Sequence, residues 1–336
     1  VIRVLILIVA LSSCSPVYVI KSSFSELSIL WRRIPISEVL KKDNLDSSTR
    51  EKLLTIIEAR NYAIKIGLDP GGSFTEYSHV DGEYLSYLLT AVEKYSFTPK
   101  LWWYPIVGTV PYKGFFTKKE AVEAGAELSS EYEINVRGVT AYSTLGWFDD
   151  PVLSLQLRSS KEELVQTVLH ESVHTTFWIP KHVKFNESVA QYISIIERAN
   201  FYENSESSVT LRNKHLQLGS IYEDLYDKVA SLYHLFKEGK LTKIELDLER
   251  AKAFLNTSIR VKELDESFIT IEKPNNAALL DLALYMSDYG AISEAFAHCG
   301  STEKFVKLIK KRTKELGEAV TPAELLNKFA KEECLL

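Results

Sequence analysis

Apolar residues recur along this chain with two different periods, and the switch between them outlines its organisation. Within 46–66, Leu53, Leu54, Ile57, Ala59, Ala63 and Ile64 approximate one helical face, which Gly67 and Asp69-Pro70-Gly71-Gly72 close. Short helices are expected before it, over 24–31 and 36–40. Between 73 and 146 the pattern changes to β-branched and aromatic runs, at 74–80, 84–92, 101–116 and 134–143. Pro105, Gly108, Pro111 and Gly114 interrupt the third run, which predicts two strands or a bent hairpin. Thr117-x-x-Glu120 is a capping box that opens a helix to about residue 132. Ser160-x-x-Glu163 opens a second helix, which runs to about 177 and stops before Pro180. A further helix covers 185–200. Beyond it the helical period dominates, over 210–238, 242–264, 274–287, 292–297, 302–316 and 321–333. The expectation is an α+β fold with a β-rich N-terminal part, a central helix pair and a largely helical C-terminal half. It divides into 1–13, 14–72, 73–200 and 201–336.

The first segment stands apart. Ile2 to Leu11 is an apolar run with one Arg, too short to span a bilayer, followed by Ser12-Ser13-Cys14. This looks like a bacterial lipoprotein signal peptide with Cys14 as the lipidated residue; the other reading is a buried strand with a core cysteine. Ser15, by likeness to known sorting patterns, favours the outer membrane, with acyl chains as the anchor. The remainder has the composition of an ordinary globular protein, 46% hydrophobic and 25% charged, which excludes a disordered chain. A net charge of −5 with dispersed basic residues argues against a nucleic-acid partner. Cys299 and Cys334 remain besides Cys14, and whether they pair stays open, because Cys334 lies in the last few residues.

The chemistry concentrates between Thr167 and Ile196, which holds His170-Glu171-x-x-His174 and then Asn186-Glu187. A helix turns about 100° per residue, so His170 and His174 share a face and can bind one zinc ion. Glu171 lies about 100° round from His170, placed to act as a general base. A catalytic zinc needs a third protein ligand and an open position, and Glu187 is the candidate ligand. That assignment requires a tight connection over 178–184. A general base beside an open site separates a hydrolase from the competing reading, an envelope lipoprotein with a structural metal, since structural sites are closed and usually hold cysteines. No cysteine here has ligand spacing. An oxyanion would need another electrophile, and Tyr142 and Tyr285 are candidates among 17 tyrosines.

These residues sit among longer strings: Arg32-Arg33-x-Pro35-Ile36, Tyr104-Pro-Ile-Val-Gly-x-Val-Pro-Tyr-Lys-Gly114, Gly138-Val-x-Ala-Tyr-Ser-Thr-Leu-Gly-Trp-Phe-Asp-Asp-Pro151, Phe185-Asn-Glu-Ser-x-Ala190 and Asn275-Asn-Ala-x-Leu279. With them the chain resembles the predicted bacterial aminopeptidase family of lipoproteins, a gluzincin-type group of zinc metallopeptidases. It departs from the family pattern at Ser172-Val173, where members carry Leu-Ala, and at the following Thr175-Thr176. The resemblance implies a zincin-like fold, a peptide substrate and a site on the periplasmic side of a membrane. It also implies that the strand before the metal helix pairs with an extended peptide, through Ala141 and Ser143. Trp147 and Phe148 would then line a side-chain pocket, or else form a turn packed on the core. An aminopeptidase needs carboxylates for the free α-amine. Asp149 and Asp150 are the nearest pair, although Asp150 before Pro151 also reads as a helix cap. Exopeptidase and endopeptidase are not separated by the sequence.

Overall fold

The computed structural model describes residues 31–104, 108–140, 149–271 and 273–334. Two strands of the larger sheet flank a central one. In β3 (Ser86–Glu93), Leu89, Ala91 and Val92 are almost wholly buried, as a middle strand requires. It pairs antiparallel with β6 (Tyr112–Phe115) on one side and β7 (Tyr132–Val139) on the other. Helix α3 (Lys118–Leu128) lies against this sheet, and Gly125 lets it approach, because a Cβ there would fall 2.8 Å from Ile134. A smaller sheet orders β1 (Ile34–Pro35), β2 (Glu76–Ser78) and β8 (Val152–Leu153), with β8 parallel to β2. The run over 101–116 resolves into three short strands rather than two. Strands β4 (Trp102–Tyr104) and β5 (Gly108–Val110) form a hairpin, and β6 leaves it for the larger sheet.

Helices make the principal core. After the four-residue α1 (Ile36–Val39) comes α2 (Ser47–Lys65), started by the Asp46 side chain accepting from Thr49 N. It packs Leu53, Ile56, Ala59 and Ala63 against α4 (Lys161–Thr176), which in turn packs on α5 (Val183–Phe201). The same core takes in Ile292 of α9 (Tyr289–Cys299), Phe305 of α10 (Thr302–Lys311) and Leu326 of α12 (Pro322–Glu333), so it runs from Ile36 to Ala330. A second core lies between α6 (Glu206–Lys237) and α7 (Lys243–Leu264), around Tyr222, Val229, Phe254 and Val261.

Several boundaries differ from the sequence expectation. Helix α3 ends at Leu128 and not near 132, because Tyr132 already opens β7 opposite Glu93. Residues 302–316 do not form one helix: Arg312 breaks it, its guanidinium held by Glu333 and Glu315, and α11 (Thr313–Glu318) follows. Helix α8 (Asn276–Ala283) is shorter than 274–287. Cys299 and Cys334 are joined by a disulfide, with Cα atoms 4.6 Å apart, tying the end of α9 to the end of α12. Among the described residues no helix is long and apolar enough to cross a membrane.

The Asn275-Asn276 pair explains how the helical half meets the larger sheet. Asn275 caps α8 through Ala277 N and Ala278 N, and donates Nδ2 to the Ile134 carbonyl at 2.8 Å. Asn276 donates to the Ser96 carbonyl and accepts from Arg250 and Tyr233. One turn further, buried Asp281 accepts from Thr90 Oγ1 at 2.9 Å on β3 and Asn135 Nδ2 at 2.7 Å on β7. Thr90 and Asn135 are register partners, so a single carboxylate locks α8 across both strands.

Candidate metal centre

Helix α4, which carries both histidines, begins where the sequence places it. Ser160 Oγ accepts from Glu163 N, and the Glu163 carboxylate accepts from Ser160 N at 2.8 Å. Leu164, Val165, Val168, Leu169 and Val173 are buried on one side, and His170 and His174 project from the same helix one turn apart. The far end is fixed too. Thr175 Oγ1 donates to the Asp69 carbonyl at 2.6 Å, and Asp69 N donates to Thr176 Oγ1 at 2.8 Å. Thr175 and Thr176 thus tie the last turn to the 69–72 loop, and Ser172 and Val173 face the core, fully buried. The departures from the family pattern sit in the packing of the helix.

The connection to α5 is tight, as the Glu187 assignment requires. Asn186, 1% exposed, bridges it with both ends of its amide: Oδ1 accepts from Ile179 N at 2.9 Å, and Nδ2 donates to the Ile179 carbonyl at 2.8 Å. Glu187 follows at once and turns its carboxylate to the histidines. Its Oε2 lies 3.2 Å from His170 Nε2 and 3.4 Å from His174 Nε2, and the two Nε2 atoms are 3.1 Å apart. The separations fit one ion: a tetrahedral zinc with bonds near 2.0–2.1 Å holds its ligand atoms about 3.3 Å from one another. Two imidazoles and a carboxylate are also a catalytic zinc donor set. Among the described residues, these three are the group of His, Cys, Asp and Glu that converges in this way.

Electrostatics bind the trio together without metal. Burial pushes His170 toward its neutral form, but the hydrogen bond to Glu187 and the charges of Glu171 and Glu187 outweigh it and raise its pKa. Burial also disfavours the Glu187 carboxylate, and hydrogen bonds from His170 and His174 reverse this, holding it well below the usual carboxylate range. Gln191, one turn after Glu187, also favours the charged His170 ring, and Trp178 packs edge-on against His174. Among the described residues Glu171 Oε2 is buried with no hydrogen-bond partner, an arrangement that costs free energy unless something else is to occupy the space beside it.

Tyr285 is the one of the two tyrosine candidates that falls within the described residues. Its ring centroid is 6.1 Å from that of His170. The placement is tertiary: Ser188, next to Glu187, donates to the Leu284 carbonyl and accepts from Ser287 N. Burial, and then the charge of Glu187, pushes its phenol up to about 12, so it keeps its proton at neutral pH. The positive charge of Arg137 on β7 lies near enough to oppose that rise. Sequence reading missed Arg137 and Gln191, of which Gln191, at helical spacing from Glu187, carried a local signal; it named Asn186 beside Glu187 but gave it no role.

Ala141, Tyr142, Ser143, Trp147 and Phe148 lie outside the described residues, as does Cys14. Asp149 and Asp150 are described. The Asp149 carboxylate accepts from Gly72 N at 2.9 Å, packed so closely that a Cβ on residue 72 would lie 2.3 Å from Oδ2. Asp150 caps no helix. Its N–H donates to Ser73 Oγ, its carbonyl accepts from Phe74 N, and these main-chain bonds hold the segment extended into β8.

No curated protein and no solved structure matches this chain. Residues 17–322 match the model of a family described as "Putative aminopeptidase". That match takes in the whole of α4, α5 and the Tyr285 segment, and the chain belongs to this aminopeptidase-like family.

Proposed function

We propose that this protein is a zinc-dependent aminopeptidase of gluzincin type, held to the cell envelope by a lipid on Cys14. The observation that carries the reading is the convergence of His170, His174 and Glu187 at zinc-ligand spacing beside a buried, unpartnered Glu171 oxygen. A purely structural metal gives no account of that orphaned carboxylate.

His170 Nε2, His174 Nε2 and a Glu187 oxygen would hold the ion. When bound, zinc makes a water more acidic and polarises the peptide carbonyl. Glu171 takes a proton from the attacking water and delivers it to the departing amine. Tyr285, protonated at neutral pH, donates to the carbonyl oxygen as it gains charge. Asn186 fixes the start of the helix that presents Glu187. Among the described strands β7 pairs with β3 alone, and its other edge is where an extended peptide would add in a zincin-like arrangement. Export is supported by the apolar leader and by the Cys299–Cys334 disulfide, which persists in oxidising compartments.

The test is metal analysis joined to a peptide library with free and blocked N-termini. Purified protein should carry about one zinc per chain, and Glu171→Gln should keep the metal while turnover falls by roughly 10²- to 10⁴-fold. Cleavage confined to free N-termini supports the aminopeptidase. Cleavage of blocked peptides makes it an endopeptidase. A wild-type protein that takes up no zinc ends the proposal.

A further inference from the structure

Among the described residues, a cation stands near the proposed centre with its donors only partly used. Along β7, Glu133, Asn135 and Arg137 alternate onto the face that α8 covers. The first two are fully engaged: Glu133 on Asn276 N and Arg250, and Asn135 on Asp281. Arg137 differs. Its Nε is 3.9 Å from Asp281 Oδ2, whose carboxylate already accepts from Thr90 and Asn135 at 2.9 and 2.7 Å. Among the described residues its other neighbour is Tyr285, whose phenol feels its charge. Arg312, by contrast, is held by Glu333 and Glu315, and Arg158 by the Gly82 and Glu83 carbonyls.

Position and access complete the case. The Arg137 side chain is 37% exposed, against 3–14% for the three proposed ligands, so it reaches solvent where they do not. Through Tyr285 it lies one side chain away from His170. An extended peptide advances about 3.3–3.6 Å per residue, so a group held by Arg137 belongs within roughly two residues of the reacting bond. The planar guanidinium fork matches a carboxylate bidentately.

We propose that Arg137 recognises a carboxylate of the substrate, so that the enzyme acts on short peptides with a carboxylate close to the bond that is cut. The inference rests on the peptidase reading above. The carboxylate is either the free C-terminus of the peptide or an acidic side chain. In the first case, a substrate gripped near both ends is limited in length.

The experiment compares kcat and KM on three substrates of one sequence: the free acid of a tripeptide, its C-terminal amide, and an amide with Glu as the last residue. Wild-type, Arg137→Met and Arg137→Lys proteins are used, each checked for native circular dichroism and zinc content. A charge-assisted bidentate contact predicts that wild type prefers a carboxylate-bearing substrate by roughly 10- to 100-fold in kcat/KM, chiefly through KM. The preference should collapse in Arg137→Met and be only partly restored by Lys. Preference for the free acid alone assigns the C-terminus; equal preference for the Glu amide assigns a side chain. Equal rates on acid and amide in wild type overturn the proposal. So does a uniform fall in kcat on all three substrates in Arg137→Met, which would make the residue a positioning group for Tyr285. If zinc-loaded wild type cleaves no peptide, the peptidase reading fails by itself. Calorimetric titration of the tripeptide and its amide into wild type and Arg137→Met then decides the recognition question, with no carboxylate-dependent difference overturning it.

Discussion

Asn186→Ala tests the claim that one side chain fixes the link between the two helices that carry the proposed ligands. Asn186 is buried and makes two bonds to the same residue, accepting from Ile179 N at 2.9 Å and donating to the Ile179 carbonyl at 2.8 Å. Ile179 is fully buried, so alanine leaves its N–H unpaired away from water, while its carbonyl keeps the longer bond from His182 N at 3.3 Å. The orphaned N–H costs about 1–3 kcal/mol and the lost carbonyl bond about 0.5–1.5 kcal/mol, for an expected total of about 2–4 kcal/mol, a large part of a typical stability. Urea unfolding of the zinc-free protein should show a lower midpoint at unchanged slope. Because Glu187 is the next residue, zinc affinity measured by chelator competition should fall about 10- to 100-fold, as for other residues that orient a ligand. Asn186→Asp keeps the acceptor but sets a carboxylate against the Ile179 carbonyl, and should be no better than alanine. A variant within 0.5 kcal/mol of wild type, with equal zinc affinity, would refute the reasoning.

Other outcomes follow from the same geometry. Tyr285→Phe should keep one zinc per chain and lower kcat by about 10²- to 10³-fold, the range seen on removing one oxyanion donor; an unchanged kcat removes Tyr285 from the chemistry. His215, on α6, is held below the ordinary imidazole pKa of 6.5 first by burial, against the opposing bond to the Leu211 carbonyl. The native state therefore refuses a proton that the unfolded chain accepts. Its contribution is fully present above pH 6.5 and lost as the pH falls toward the lowered value. Unfolding from pH 5 to 8 should show a weaker acid loss in His215→Asn than in wild type; parallel curves count against the assignment. Cys299→Ser opens a cross-link spanning 35 residues, worth about 3–4 kcal/mol in the loop-closure model, and should lower Tm, whereas an unchanged Tm would show that packing of α9 on α12 suffices.

What could be read from the sequence was local. The capping box at Ser160 and Glu163, the i,i+4 histidines and a glutamate 17 residues after His170 all act within two consecutive helices, and the structure brings these three side chains together. The Asp150-Pro151 pair misled because a cap is a local signal too, but the main-chain bonds to residues 73 and 74 hold that segment extended. Arg312 broke an expected helix for a tertiary reason, its ion pairs with a residue 21 positions away. Tyr285 could be named but not placed, since its position depends on Ser188 meeting the turn after α8. Arg137 could not be singled out, since strand alternation puts it in line with two residues whose roles are to hold α8.

This division has a physical consequence for how the protein can vary. The three proposed ligands and Glu171 need only α4, α5 and the Asn186 link, a unit of about 40 residues buried in the principal core. The groups that would choose the substrate come from elsewhere. Arg137 is delivered by the edge of a sheet and Tyr285 by the segment after α8, and the two sheet strands are locked to that helix by Asp281. A substitution in the Asp281 clasp therefore acts on Arg137 and Tyr285 together and leaves the ligand spacing to the helix pair. The helix pair meets the segment that carries Tyr285 through Ser188 with residues 284 and 287 and through the His170 and Tyr285 rings. Within this family, hydrolytic capacity should thus be the more robust property. Specificity should drift with β7 and α8, where a single carboxylate governs the register of three elements.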